Sequence, residues 1–298
     1  EAQGNLEQAE KLLRRALEGL DRTVGPESPE ALTAATNLAY LLQDLSKHND
    51  AIGLYKRVAD TRQRVLGPRH PLTLNAMNNL GTAYWFAGRK DEAAAELMRV
   101  LELRREILGD AHPDTHVSMH NAAFMLEKTE KLDEAEELYR TGYEGSVRAL
   151  GPDHPQTLRL LANLSRVLTL ENKREEAERG MRQALEGFVR TLGPDHQDSL
   201  GIRCDLGIGL ILWDQPQEAE HHLRLVVDGS ATLLGPDHPN TLRARKHLVD
   251  ALVAQHKCDE AASVAAGLAD AMDADPLRTG ETAQSVRDAL AACESAPR

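Results

Sequence analysis

Leu150-Gly151-Pro152-Asp153-His154-Pro155-Gln156-Thr157-Leu158 is the stretch whose reading decides how this chain is built. It recurs as Val24-Gly25-Pro26-Glu27-Ser28-Pro29, Leu66-Gly67-Pro68-Arg69-His70-Pro71, Leu108-Gly109-Asp110-Ala111-His112-Pro113, Leu192-Gly193-Pro194-Asp195-His196 and Leu234-Gly235-Pro236-Asp237-His238-Pro239. The six glycines stand 42 residues apart every time, without one insertion. A fixed period of this length marks stacked repeats. In each copy Gly follows a long apolar-periodic run, where a left-handed C-cap is wanted that Gly adopts cheaply. Pro directly after it, as in Gly151-Pro152, cannot continue a helix. A second Pro, as in His154-Pro155, suits the first turn of the next helix, where its missing N–H costs nothing. In the first copy the residue before that Pro is Ser28, a good N-cap. Each copy therefore reads as a tight corner between two helices rather than a flexible linker.

The rest of the composition agrees with helix-on-helix packing. Of 298 residues, 41% are hydrophobic and only 3% aromatic, so the core is built mainly from Ala and Leu. The net charge of −12 leaves no basic face of the kind that displaces counterions from nucleic acid. No apolar run approaches the roughly 20 residues that span a bilayer, which argues against membrane insertion, and no signal peptide is visible. Cys204, Cys258 and Cys293 are odd in number and lack metal spacing. They read as free thiols in a reducing, cytoplasmic setting. The start at Glu1 rather than Met suggests a piece of a longer protein.

Taken in order, residues 5–24 read as a helix with Leu6, Ala9, Leu12, Leu13, Ala16, Leu17 and Leu20 on one broad stripe. In the 42-residue register it is the second helix of a pair. Six full pairs follow, at 29–66, 71–108, 113–150, 155–192, 197–234 and 239–274. Each has a first helix, A, and a second, B; the last B helix is expected over 258–274. After a corner at 274–280 that has lost the motif, a terminal capping helix is expected at 281–293. The whole reads as a single all-α array over 1–298. Helix B carries Ala at 9, 51, 93, 135, 177, 219 and 261, a small residue that lets two backbones approach closely. Four positions later stand Leu13, Tyr55, Leu97, Tyr139, Met181, Leu223 and Ala265. Helix A carries Leu38, Leu80, Ala122, Leu164, Leu206 and Leu248.

The spacing Asn79-Leu80-Gly81, then Tyr84, then Gly88 and Glu92-Ala93, resembles the tetratricopeptide repeat. The 42-residue period with its Leu-Gly-Pro-Asp-His-Pro corners resembles the long, kinesin-light-chain-like form of that repeat, over essentially the whole chain. The resemblance implies a right-handed α-solenoid of stacked antiparallel helix pairs, with A helices on the concave wall. It also implies that the matching asparagines hold the backbone of a bound peptide.

The residues independently single out the same wall. Asn37, Asn79, Asn121 and Asn163 form one column, continued by Asp205 and His247. Asn inside a helix costs a few tenths of a kcal/mol, so four in register have a purpose. Its amide donates and accepts, matching a peptide group. Helices about 10 Å apart present one such amide to about every third residue of an extended strand rising about 3.3 Å per residue. The other reading is that each Asn bonds a neighbouring helix and sets repeat geometry. One helical turn away lie Thr33 and Tyr40; Asn75, Thr82 and Phe86; Val117, Phe124 and Lys128; Arg159 and Arg166. These vary between repeats over an unvarying core. Arg159 and Arg166 make a local basic spot suited either to an acidic ligand residue or to partners within the chain.

The five corner histidines are too far apart for one metal, whose ligands must lie about 2 Å from it. They read as helix caps. No phosphate loop, dinucleotide fingerprint, HExxH or GxSxG is present, so neither cofactor nor enzymatic activity is expected. The function expected is a non-catalytic protein–protein interaction scaffold that takes a peptide or an extended protein segment in its concave groove. The alternative is a regulatory or sensor array of a larger multidomain signalling protein, such as one with a nucleotide-hydrolysing switch. Association through the terminal repeats is a further expectation.

Overall fold

The corners bend through backbone that glycine alone tolerates. Gly67, Gly109, Gly193 and Gly235 have φ of 88°, 79°, 96° and 98° with ψ between 158° and 167°. This is not the left-handed helical conformation expected at these sites but an extended one at positive φ, more restrictive still for any side chain. The left-handed conformation sits instead at the A–B turn, at Ser46, Gly88, Glu130, Asn172, Asp214 and His256, with φ from 57° to 74°. There a six-to-one hydrogen bond, such as Lys47 N to Leu42 O at 2.8 Å, closes each A helix.

The computed structural model describes residues 2–110, 112–274 and 283–295. All regular structure among them is helical. In chain order come α1 (Ala2–Thr23), α2 (Pro29–Asp44), α3 (His48–Leu66), α4 (Pro71–Phe86), α5 (Lys90–Leu108), α6 (Pro113–Lys128) and α7 (Leu132–Leu150). There follow α8 (Pro155–Leu170), α9 (Arg174–Leu192), α10 (Gln197–Leu212), α11 (Pro216–Leu234) and α12 (Pro239–Ala254). The last are α13 (Cys258–Ala265), α14 (Leu268–Ala274) and α15 (Ala283–Ser295). Helices adjacent in sequence pack on one another, an all-α solenoid arrangement, within two compact units, Glu1–Ala149 and Leu150–Arg298.

The histidines do cap. Nδ1 of His70, His112, His154, His196 and His238 each accepts the backbone N–H two residues on, at 3.1–3.2 Å. Each must hold its proton on Nε2 to do so. Ser28 Oγ does the same for Ala31 N–H in the first copy.

The core follows the columns. Ala51, Ala93, Ala135, Ala177, Ala219 and Ala261 are wholly buried, as are Tyr55, Leu97, Tyr139, Met181 and Leu223 to within 1%. Small residues let A and B helices meet: a Cβ on Gly81 would stand 2.8 Å from Leu97 Cγ, and one on Gly207 2.8 Å from Leu223 Cγ. A further column, near the start of helix A, holds Leu32, Leu74, Leu158, Leu200 and Leu242, all buried. Its third member is His116, which is fully buried and has neither ring nitrogen hydrogen-bonded. Burial pushes its pKa down; the nearby Asp110 backbone pulls the other way without forming a hydrogen bond of ordinary geometry, and the Arg148 and His112 charges add to the depression.

Two expectations fail at the C-terminal end. The helix expected over 258–274 is broken at Ala266 and Gly267, the latter at φ 68°. Glycine inside a helix costs about 1 kcal/mol relative to Ala. Arg245 Nη2 donates to Val264 O and Ala266 O at 2.9 Å each, satisfying carbonyls that the break releases. The cysteines are not all free: Cys258 and Cys293 form a disulfide, and only Cys204, buried, is a thiol. Their separation of 35 residues gave no sign that the start of α13 and the last turn of α15 would meet. Helix α15, at Ala283–Ser295, overlaps the capping helix expected at 281–293, while residues 275–282 lie outside the described residues.

Candidate functional site

The A helices are placed side by side within each unit, and their outward residues form its wall. In the first unit the wall is α2, α4 and α6. Tyr40 Oη donates to Asn79 Oδ1 at 3.4 Å, linking α2 to α4. Asn121 Nδ2 donates to Asn78 Oδ1 at 2.9 Å, linking α4 to α6, and His120 Nδ1 lies 3.2 Å from Asn121 Oδ1. The Trp85 and Phe124 rings meet edge to face at 5.6 Å across the same gap. These contacts bring Tyr40, Asn79, Asn121 and Phe124 onto one surface. Asn79 and Asn121 are half-buried and Asn37 is exposed. Asn37 lines an open depression of 450 Å³ with Leu13, Pro29, Glu30, Thr33 and Ala34.

Other wall residues are spoken for. Asn75 Oδ1 accepts Arg104 Nη2 at 2.6 Å. Arg104 is buried, bonds Ser118 Oγ at 2.8 Å and Asp114 O at 3.0 Å, and has its pKa lowered by desolvation. Thr82 Oγ1 donates to Asn78 O at 3.0 Å within its own helix. Lys128 Nζ lies 5.3 Å over the Phe124 ring and 3.0 Å from buried Glu127. By contrast Tyr40, Phe86 and Val117 present apolar surface to solvent, at 53%, 56% and 42% exposure.

In the second unit the wall is α8, α10 and α12. Asn163 Oδ1 accepts Arg166 Nη2 at 3.0 Å, and Arg159 reaches Asp198 at 2.7 Å. The basic spot is thus engaged within the chain. Leu170 and Leu212, one repeat apart, are exposed. His247 and Lys246 lie 3.3 and 2.9 Å from Asp250. Burial would raise the Asp250 pKa, but these two partners outweigh it and hold it low.

Three residues that shape the walls were not anticipated from sequence. Asn78 was legible as the first half of the Asn78-Asn79 doublet. Arg104 sits on helix B, where the preceding repeat holds Arg62 but later repeats hold Ser146, Phe188 and Ser230, so the column is only two arginines long. Asp198, in the first turn of α10, was not singled out at all.

Among the described residues no group of three or more His, Cys, Asp or Glu side chains gathers as a metal would require, and no helix is long and apolar enough to cross a membrane. What the walls offer chemically is amides, aromatic faces and aliphatic patches, which is recognition chemistry.

Comparison with known proteins bears on family and fold. A tetratricopeptide repeat family model matches residues 1–62, 30–106 and 114–188, and a second model of that repeat matches 206–240. No curated protein matches the chain. Among solved structures, the nearly identical TPR-like repeats of a Podosopora anserina protein assigned as a kinesin light chain are 25% identical, covering 70% of this chain and 98% of that one, with a TM-score of 0.60. BtubC (BKLC) from P. vanneervenii is 20% identical, covers 77% and 92% of the two chains, and has a TM-score of 0.65, a likeness of fold.

Proposed function

That the chain belongs to the tetratricopeptide repeat family, with repeats of the kinesin-light-chain-like kind, is the premise from which we propose its function. The fold is one used for protein–protein interaction. In this chain the A-helix wall of the first unit takes a peptide or an extended segment of another protein, without chemistry on it. The observation that carries this reading is the exposure of Tyr40, Phe86 and Val117 on that wall, beside the amides of Asn37, Asn79 and Asn121, over a fully packed core. Isolated apolar side chains on a surface need no explanation, but aromatic and aliphatic anchors alternating with peptide-like amides are what an extended ligand requires. Asn163, Arg159 and Arg166 belong to the wall of the second unit, where Leu170 and Leu212 supply the exposed apolar surface.

A random-peptide display library panned against the protein tests this. Selected peptides are expected to lose at least about tenfold in affinity to Tyr40→Ala with Phe86→Ala, because truncating anchoring aromatics costs more than about 1.4 kcal/mol. The thermal midpoint should be nearly unchanged, since both side chains are more than half exposed. Peptides that bind the double variant equally well would refute the assignment.

A further inference from the structure

Helix α15 occupies the place on the last repeat that α10 and α12 occupy on the repeats before them in this unit. It packs on α12, α13 and α14. Among its described side chains Ala283, Val286 and Cys293 are buried. Helix α12, an A helix in the same grid, buries eight, among them Leu242, Leu248, Val249 and Leu252. Outside the disulfide, the ion pair between Arg287 and Asp273, at 2.7 Å, is exposed and worth little.

The covalent link falls at a telling point. In the two preceding repeats of this unit the start of the B helix and the end of the next A helix are joined by hydrogen bonds and, at α11, also by the Lys257–Glu220 ion pair. Arg174 Nη1 donates to Trp213 O at 3.3 Å between α9 and the end of α10. Gln255 Nε2 donates to Pro216 O at 3.1 Å between the end of α12 and α11. Between α13 and α15 the corresponding junction is Cys258 to Cys293, with Cα atoms 5.7 Å apart. The last helix thus carries a covalent bond where α10 and α12 carry non-covalent ones.

We propose that the Cys258–Cys293 bond is a redox latch that retains α15 on the last repeat and that its reduction lets the helix leave. Cys258 is the more exposed partner, so a dithiol reductant attacks there as thiolate. A mixed disulfide forms at Cys258 and Cys293 departs as thiolate, taking up a proton. The second thiol of the reductant then displaces Cys258, and the reductant leaves as its own disulfide. Two electrons and two protons pass to the protein. Departure of α15 uncovers the apolar side of α12 to α14, where Ala261, Leu268 and Met272 are now wholly buried.

Hydrogen exchange read by mass spectrometry, on the full chain with and without dithiothreitol, tests the latch. Non-reducing peptide mapping first establishes the bond. On reduction, amides of 283–295 are expected to exchange up to several hundredfold faster, on the order of the loss expected when a 35-residue loop is opened. Helices α2 to α11 should keep their protection. Cys293→Ser should reproduce the reduced pattern without reductant, and dithiothreitol should then change nothing further. The idea is overturned if 283–295 exchanges equally in both states once both thiols have been shown to alkylate. It is equally overturned if α8 to α12 lose protection together with α15, since the bond would then be a staple of the whole unit, or if mapping finds both cysteines free in oxidised protein.

Discussion

Replacing His116 by Leu should stabilise the first unit and blunt its response to mild acid. His116 is fully buried, both ring nitrogens lack a partner, and the other five repeats place Leu at this position. An unsatisfied buried polar group costs about 1–3 kcal/mol, and an apolar group of similar shape escapes that cost. Leucine fits. The ring lies against Gly145, where a Cβ would stand 2.5 Å from Nε2; Leu158 Cδ2 stands at the same 2.5 Å from a Cβ placed on Gly187. A gain of about 2 kcal/mol at pH 7.5 is therefore expected. The pH dependence follows from the depressed pKa. The folded ring stays neutral below 6.5, where the unfolded ring takes a proton, so stability is present above 6.5 and falls as the pH drops through it. One pH unit below 6.5, at pH 5.5, that loss is at most about 1.4 kcal/mol for one imidazole. The His116→Leu protein lacks this component, so its advantage should grow between pH 7.5 and 5.5, by no more than about 1.4 kcal/mol. Native-state hydrogen exchange of α6 and α7 amides, corrected for intrinsic rates, reads it locally. A variant no more stable at pH 7.5, or one whose stability falls with pH as steeply as the parent, would refute the reasoning.

Further outcomes follow from the same geometry. Gly67→Ala, forcing a side chain onto φ 88°, should cost about 1–3 kcal/mol in urea unfolding although nothing crowds its Cβ; an unchanged midpoint would remove conformation as the reason for the corner glycine. His154→Ala should cost about 1 kcal/mol by loss of the Gln156 N–H cap, and His154→Asn should recover much of it in the same assay. Glu220, set between Lys257, Gln255 and Arg224, has a pKa held down to about 2, against its own desolvation. Its contribution is present above 4.5 and lost as pH falls toward 2, so Glu220→Gln should flatten acid unfolding over that window while lowering stability at pH 7. Asn121→Ala should cost about 1 kcal/mol through the lost bond to Asn78, whereas Asn37→Ala, at an exposed side chain, should leave thermal unfolding unchanged.

What the sequence alone determined is whatever repeats along one dimension. The 42-residue interval, the stop at Gly and start at Pro, the alanine column and the leucine columns are properties of single helices and their ends. Backbone geometry ties them to residue type at fixed spacing. The A-helix wall was legible for the same reason, since residues three and four apart must share a face. What only the tertiary structure decided lies between helices. Asn121 finds Asn78 rather than Asn79, and Asn75 is taken by Arg104 from the B helix behind it, because side-chain reach across a packed interface depends on the rotation of each helix. Cys258 meets Cys293 because α15 folds back on the last repeat, a contact that a spacing of 35 residues does not encode. His116 is buried without partners because its register position is an interior one, whatever residue stands there. The A–B turns take the left-handed conformation with Ser46, Glu130, Asn172, Asp214 and His256, where the closing hydrogen bonds outweigh a modest backbone cost. Local spacing sets where a side chain points; only packing sets what it meets there.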